Sequence, residues 1–292
     1  MKVTFDHLLN SSFLLWVQNV VENRGQAHVS GSGYFYDTQE VFGGRFSYSS
    51  PYQPFIADSS IANAAVMTGI YLDNTFITTG VSGLVGINYA KGAVYFSSGI
   101  TYANNPAHNR LSGNFSVSEF SYKLTAEPEE NLLFETKYSL KPKTYQTVSG
   151  LGPSDTVYPI IFVKPYASYA KEFAIGGMED TTNTFRLLIL ADSQFLVDGA
   201  VCLIRDRIRS VIPLMTGVSE MPFNAYGGYS AGVYNYNTTF TGKFSTVNSA
   251  FLTDVRTMKI GANGMKELRQ INPGVFVEVV DCDLSNFRQV RN

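Results

Sequence analysis

The 292-residue chain is 45% hydrophobic and 14% aromatic but only 16% charged, with a net charge of −2. A chain of this size buries a large core in one or two domains without a disulfide or metal staple, and its near-neutral balance excludes a binder that works by neutralising phosphate. Cys202 and Cys282 lie far apart in the sequence, which encodes neither a disulfide framework nor a zinc ribbon, so each is read as a small buried hydrophobe.

In chain order, residues 6–23 place Leu9, Phe13, Trp16 or Val17, and Val20 at three- and four-residue steps. This predicts a helix capped by Asp6 and closed by Gly25. From residue 27 to 139 the pattern changes to short alternating runs split by Gly, Asn and Pro, which predicts antiparallel strands and turns. Examples are GSGYFYD, GRFSYSS, IYLDNTFIT, and the pair VGINY and AVYFSS joined around Ala90-Lys91-Gly92. In RLSGNFSVSEFSYKLT the alternation of Phe115 and Val117 slips at Glu119 and Phe120 and resumes at Tyr122 and Leu124. That slip predicts one long strand carrying a β-bulge.

Residues 141–158 are poor in aliphatic side chains and punctuated by Pro, Gly and Ser. They predict a linker between a helix-plus-β domain over 1–140 and an α+β domain over 159–292, with one interleaved fold as the alternative. Beyond it, TVYPIIFVKPYA and NTFRLLILAD read as strands. Val197, Val201, Ile204, Ile208 and Val211 fall on one face of a predicted helix over about 193–211, ended by Pro213. VYNYNTTFTGKFSTV, FLTDVRTMKIG and VFVEVVDCDLSNFR close the chain as three strand-like segments. The expected fold class is mainly β (α+β): antiparallel sheets or a sandwich, with an N-terminal helix and one amphipathic helix packed on a C-terminal sheet.

The motifs that carry chemistry are weak. Gly228-Tyr229-Ser230-Ala231-Gly232 matches the hydrolase elbow G-x-S-x-G, but alternating strand-like sequence follows it where a helix should. His7, His28 and His108 all precede that serine, opposite to the hydrolase order, and form no metal-binding spacing. Asp281 and Asp283 share one strand face and could hold a cation, but with no glycine-bearing loop and no third ligand in order a solvated strand face is the better reading. No phosphate-cradling glycine loop occurs, so neither an enzyme nor a cofactor is expected. The opening MKVTFDHLLNSSFLLWVQNVVEN lacks a basic start and a cleavage site, which points away from export and away from the membrane.

A low charge content with 18 tyrosines and 21 phenylalanines fits a surface that faces other protein, since interface centres favour aromatics and lose charges. Arg205, Arg207 and Arg209 on the predicted helix, and Tyr226, Tyr229 and Tyr234 in the Gly- and Tyr-rich stretch, are the candidate intersubunit contacts. The alternative is a β-sandwich that binds glycan through stacking tyrosines.

Three stretches carry a family resemblance: SSPYQPFIADSSIANAAVMTGIYLDNTFITTG with VSGLVGINYAKGAVYFSS, FSYKLTAEPEENLLFETKY, and FRLLILADSQFLVDGAVCLIRDRIRSVIPLM followed by PFNAYGG. They resemble virion structural proteins of tailed bacteriophages, a group that includes neck, head-to-tail connector and tail terminator subunits. The resemblance implies a ring-forming subunit between capsid and tail, made in the host cytoplasm and resident in the virion. Its partners would be copies of itself and the portal, connector, tail tube or sheath, with DNA passing through the lumen without sequence-specific contact. Tail terminators are shorter, so the N-terminal half would be an addition. No functional residue carries over from the family.

Overall fold

The computed structural model describes residues 5–100, 111–133, 139–142, 155–174, 178–220, 222, 233–244, 249–258, 260, 264, 266, 268 and 274–289. Helix α1 (Phe5–Asn19) runs into a five-residue π-turn (Val20–Arg24). Leu9, Phe13, Leu14, Leu15, Trp16 and Val17 are all buried, so the helix is enclosed on more than the single face its stripe predicts. The buried Ser12 hydroxyl donates to Leu8 O at 2.7 Å and accepts from Met215 N at 2.9 Å, which removes the cost of a hydroxyl in this core. Gly25 follows the turn, but with φ −77° it takes the ordinary right-handed conformation. Glycine stands there for space: a Cβ would lie 2.4 Å from Val21 O and 2.5 Å from Leu203 Cδ1.

Strands β1 (His28–Tyr34), β2 (Tyr36–Phe42), β3 (Arg45–Ser49), β4 (Gly69–Leu72), β5 (Thr75–Thr78), β6 (Leu84–Asn88), β7 (Ala93–Phe96) and β8 (Leu111–Ser118) make two antiparallel four-stranded sheets. Their orders are β1-β8-β4-β5 and β2-β3-β7-β6. GSGYFYD is therefore two strands. The chain changes sheet at the fully buried Phe35, which meets Phe55 and Phe115 edge-on, each at 6.1 Å. Tyr89 ties the sheets together by donating its hydroxyl to Met67 O at 2.7 Å. Asp73 and Asn74, at φ 48° and 65°, form the two-residue turn of the β4–β5 hairpin, where both central residues need positive φ. The β6–β7 hairpin closes around Ala90-Lys91-Gly92 as expected.

The phase slip at Glu119 and Phe120 has a different cause from the predicted bulge. β8 ends at Ser118, Phe120 is buried, and β9 (Ser121–Leu124) joins a different sheet. A short helix α2 (Glu129–Leu133) follows, then β10 (Ser139–Pro142) and β11 (Asp155–Tyr158), which pair in parallel at the two ends of the predicted linker. Next come β12 (Ile160–Ala174), β13 (Met178–Ala191), α3 (Gln194–Arg205), β14 (Val211–Pro213), α4 (Tyr236–Thr239), β15 (Ser249–Met258) and β16 (Phe276–Gln289). The resulting six-stranded sheet has the order β14-β15-β16-β13-β12-β9. Every pair in it is antiparallel except β9 with β12.

One face of this sheet shares the main core with α1, α3 and both smaller sheets, through Ile161, Val163, Phe185, Leu187, Ile189, Val280, Cys282 and Leu284. Phe13 of α1 packs on Phe185 at 4.4 Å between ring centroids. The other face carries a smaller cluster, in which Leu132 and Leu133 of α2 cover Ile160, Phe162, Leu188 and Leu190. β12 and β13 therefore read as nearly continuous apolar runs in the sequence because both faces are buried there. The mainly-β class, with antiparallel sheets, the N-terminal helix and the amphipathic helix on the C-terminal sheet, is what the structure shows.

Three local expectations change. α3 stops at Arg205 because Arg209 turns to φ 69° and gives its N–H to Leu252 O at 2.7 Å, which leads Val211 and Pro213 into a strand. The described part of VYNYNTTFTGKFSTV holds a single bridge at Tyr234 and the short α4, whose start is capped by Asn235 accepting from Thr238 N at 2.9 Å. Cys202 is exposed on α3, while Cys282 is buried and its thiol is pushed well above the usual range by burial.

Candidate interaction surface

Strand β12 passes from a fully enclosed environment to an open one within its own length. Ile160, Ile161, Phe162 and Val163 are buried on both faces, Lys164 and Pro165 are half-buried, and every residue from 166 to 172 is exposed. The pairing changes at the same place. β9 covers the outer edge of β12 only along 160–163, and beyond that β13 is its single strand partner among the described residues. Among the described residues this leaves a row of main-chain N–H and C=O groups without a strand partner, the feature by which a sheet recruits another strand. Tyr166 is 54% exposed and Tyr169 66% exposed on this segment.

An ion-pair network fixes the root of the segment. Asp281 of β16 accepts from Arg186 of β13 through both oxygens, at 2.7 and 2.8 Å, and Glu129 of α2 accepts from the same guanidinium at 2.8 Å. These bonds raise the Arg186 pKa above its ordinary value, against the opposing effect of burial. Lys164 approaches Glu129 at 3.7 Å, and the Arg186 guanidinium lies 4.0 Å from the Tyr166 ring centre. A guanidinium held in this way favours the position of the Tyr166 ring against it. Asp283 accepts from Thr184 Oγ1 at 2.6 Å and from Arg256 at 2.8 Å. The two aspartates do lie on one strand face, but their oxygens are engaged with arginine. Among the described residues no group of three or more His, Cys, Asp or Glu is placed to hold a metal ion, and no helix is long and apolar enough to cross a membrane.

Four of the six predicted contact residues are described. Arg205 ends α3, and Arg207 and Arg209 lie on the turn after it, so the three do not form one wet helical face. Tyr234 is buried: its N–H donates to Ala57 O and its carbonyl accepts from Ser59 N, which withdraws its ring from the surface. Tyr226, Tyr229 and Ser230 lie outside the described residues, as does His108. Sequence reasoning missed Tyr166, Tyr169, Lys171 and Arg186. The signal was available in IIFVKPYASYAKE, where a continuous apolar run gives way after Pro165 to polar residues on both faces.

A second polar cluster lies in the core. Glu22 of the π-turn is 1% exposed, and Gln18 donates to its two carboxylate oxygens at 3.3 and 3.4 Å. Burial raises its pKa to about 8, opposed by hydrogen bonds from Ser118 and Gln18 and reinforced by Asp58. Asp58, fully buried, accepts from Asn19 Nδ2 at 3.2 Å and from the N–H groups of Ser60 and Tyr236, each at 2.9 Å. The cluster thus joins α1, the 55–60 segment and the start of α4.

No protein-family model matches the chain, and no curated protein matches it.

Proposed function

We propose that the chain is a structural subunit of a tailed-bacteriophage virion, a ring-forming neck, head-to-tail connector or tail terminator protein that joins capsid to tail. The observation that carries this reading is the open outer edge of β12 along 166–172, an exposed strand segment with two tyrosines. Monomeric proteins blunt such edges or cover them, so an edge left open beside a half-buried ion-pair network is suited to a neighbouring chain. The low charge content and the family resemblance support the same reading. Antibody against the purified chain should decorate the junction of head and tail on intact particles. Absence of the chain from purified particles contradicts the proposal.

The exposure of Tyr169 favours a second reading, a glycan-binding module in which the ring stacks on a sugar. Reproducible hits on a glycan array, lost in Tyr169→Ala, would select it over the ring subunit.

A further inference from the structure

The six-stranded sheet has a second open edge, on its opposite side. β14 pairs with β15 only at Ser249, Ala250 and Phe251, and the 209–210 backbone covers Leu252. From 254 to 258, β15 is paired to β16 alone among the described residues. The two open stretches are of similar length and each is free of irregularity: the shifts in β12 fall at 165/167 and 172/174, and the shift in β15 falls at 252/254.

We infer that copies of this chain join head to tail by antiparallel pairing of the open β12 edge of one copy with the open β15 edge of the next, extending one sheet through the interface. The inference rests on the subunit reading above and names the partner and the geometry. β12 runs parallel to β16 and β15 runs antiparallel to it, because each step across β13 and β16 reverses direction. A second copy placed edge to edge in the same orientation therefore brings β15 antiparallel to β12, the pairing that sheets favour.

Face and charge select the register. Ala167, Tyr169 and Lys171 pair with Thr184, Thr182 and Asp180 of β13, on the face that carries Arg186 and Asp281. Asp254 and Arg256 lie on that face too, opposite Asp283 and Asp281. Keeping the faces aligned allows registers two residues apart, and one of them sets Lys171 opposite Asp254, Tyr169 opposite Arg256 and Ala167 opposite Met258. Opposite charges and a cation over an aromatic ring are favourable cross-strand neighbours. Among the described residues Lys171 makes no ion pair within its own chain.

The same register sets the two bare stretches opposite each other. Lys171 is level with Phe287 through Asp180, whereas Asp254 is level with Asp283. The next copy is therefore displaced along the strands by the four positions between 283 and 287, roughly 13 Å. With that displacement the neighbour's Phe251, where its β14 begins, falls level with Ala174, the last residue of β12. β9 ends at Leu124, opposite Val163, short of Ala167, the position facing Met258. β12 and β15 then face each other bare along 167–171 and 254–258, while Glu172 and Ala174 fall level with Leu252 and Phe251, so the end of β12 has to turn aside from the neighbour's 209–211 backbone. Such a contact is heterologous, as a closed ring requires.

The test is disulfide capture in a Cys202→Ser background, with the native mass measured alongside. Within one chain Ala167 and Met258 sit on strands separated by two others, roughly 14 Å apart at the least, so they cannot bridge internally. The double variant Ala167→Cys, Met258→Cys should give a ladder of covalent multimers under mild oxidation. Mixing the two single variants should give dimers only, and each single variant alone should give none. Lys171→Glu should weaken assembly by about threefold to tenfold per interface, and adding Asp254→Lys should restore it. Multimers by mass without the ladder would overturn the edge pairing and leave the subunit reading standing. Dimers from Ala167→Cys alone would show β12 pairing with itself and would also overturn it. A monomer at every concentration overturns both.

Discussion

Replacing Glu22 by Gln should remove a pH dependence that the fold imposes on its own stability. The Glu22 carboxyl is buried with a pKa of about 8, while in the unfolded chain it ionises near its ordinary value of 4.5. A raised folded pKa favours folding fully below 4.5, and the contribution fades as pH climbs to about 8, because only the unfolded chain loses the proton in that window. At 1.36 kcal/mol per unit the loss across the window is about 5 kcal/mol, a large part of a typical domain's 5–15 kcal/mol. Glu22→Gln keeps the shape of the neutral acid and the contact with Gln18 but has no proton to lose. Urea unfolding of both proteins at about pH 5, 6, 7 and 8 measures the difference directly and cancels the other titrating groups. The variant should gain on the wild type steadily from pH 5 to 8 and level off above. A stability difference that stays flat over that range would refute the assignment of a buried neutral acid.

Asp281→Ala should destabilise the chain by about 3–5 kcal/mol in urea melts at neutral pH, because Arg186 keeps its charge in a half-buried site without its bidentate partner. Replacing Arg186 and Asp281 together by apolar residues should recover much of that loss. Gly25→Ala should cost about 1–3 kcal/mol, since the added methyl meets the Val21 carbonyl at 2.4 Å and backbone must move. Phe185→Ala should cost about 3–5 kcal/mol by opening a cavity against Phe13. Thermal or urea unfolding checks all of these.

The strands and helices were legible where one physical rule acted alone. The IYLDNTFIT hairpin was marked by two residues that tolerate positive φ, and α1 by its three- and four-residue steps. What misled was any signal with two causes. The slip at Glu119 fits a bulge or a change of sheet, and only the placement of Phe120 decides between them. The apolar steps Ile204, Ile208 and Val211 fit a longer helix, yet Ile208 and Val211 lie on the turn and the strand that follow Arg205. Gly25 announced a helix end for the wrong reason, since its neighbour Leu203 comes from a helix far along the chain. Composition alone gave the expectation of a surface that faces other protein, without its place. Edge exposure depends on which strand stops short beside another, and nothing in YASYAKE states that β9 ends at Leu124, opposite Val163.

The native mass of the purified, untagged chain at micromolar concentration probes the proposed assembly role most directly. One dominant species at an integer multiple of 32.2 kDa, unchanged over a tenfold dilution, is the predicted result. A single species at 32.2 kDa in every condition, including in the presence of capsids and tails, would contradict it.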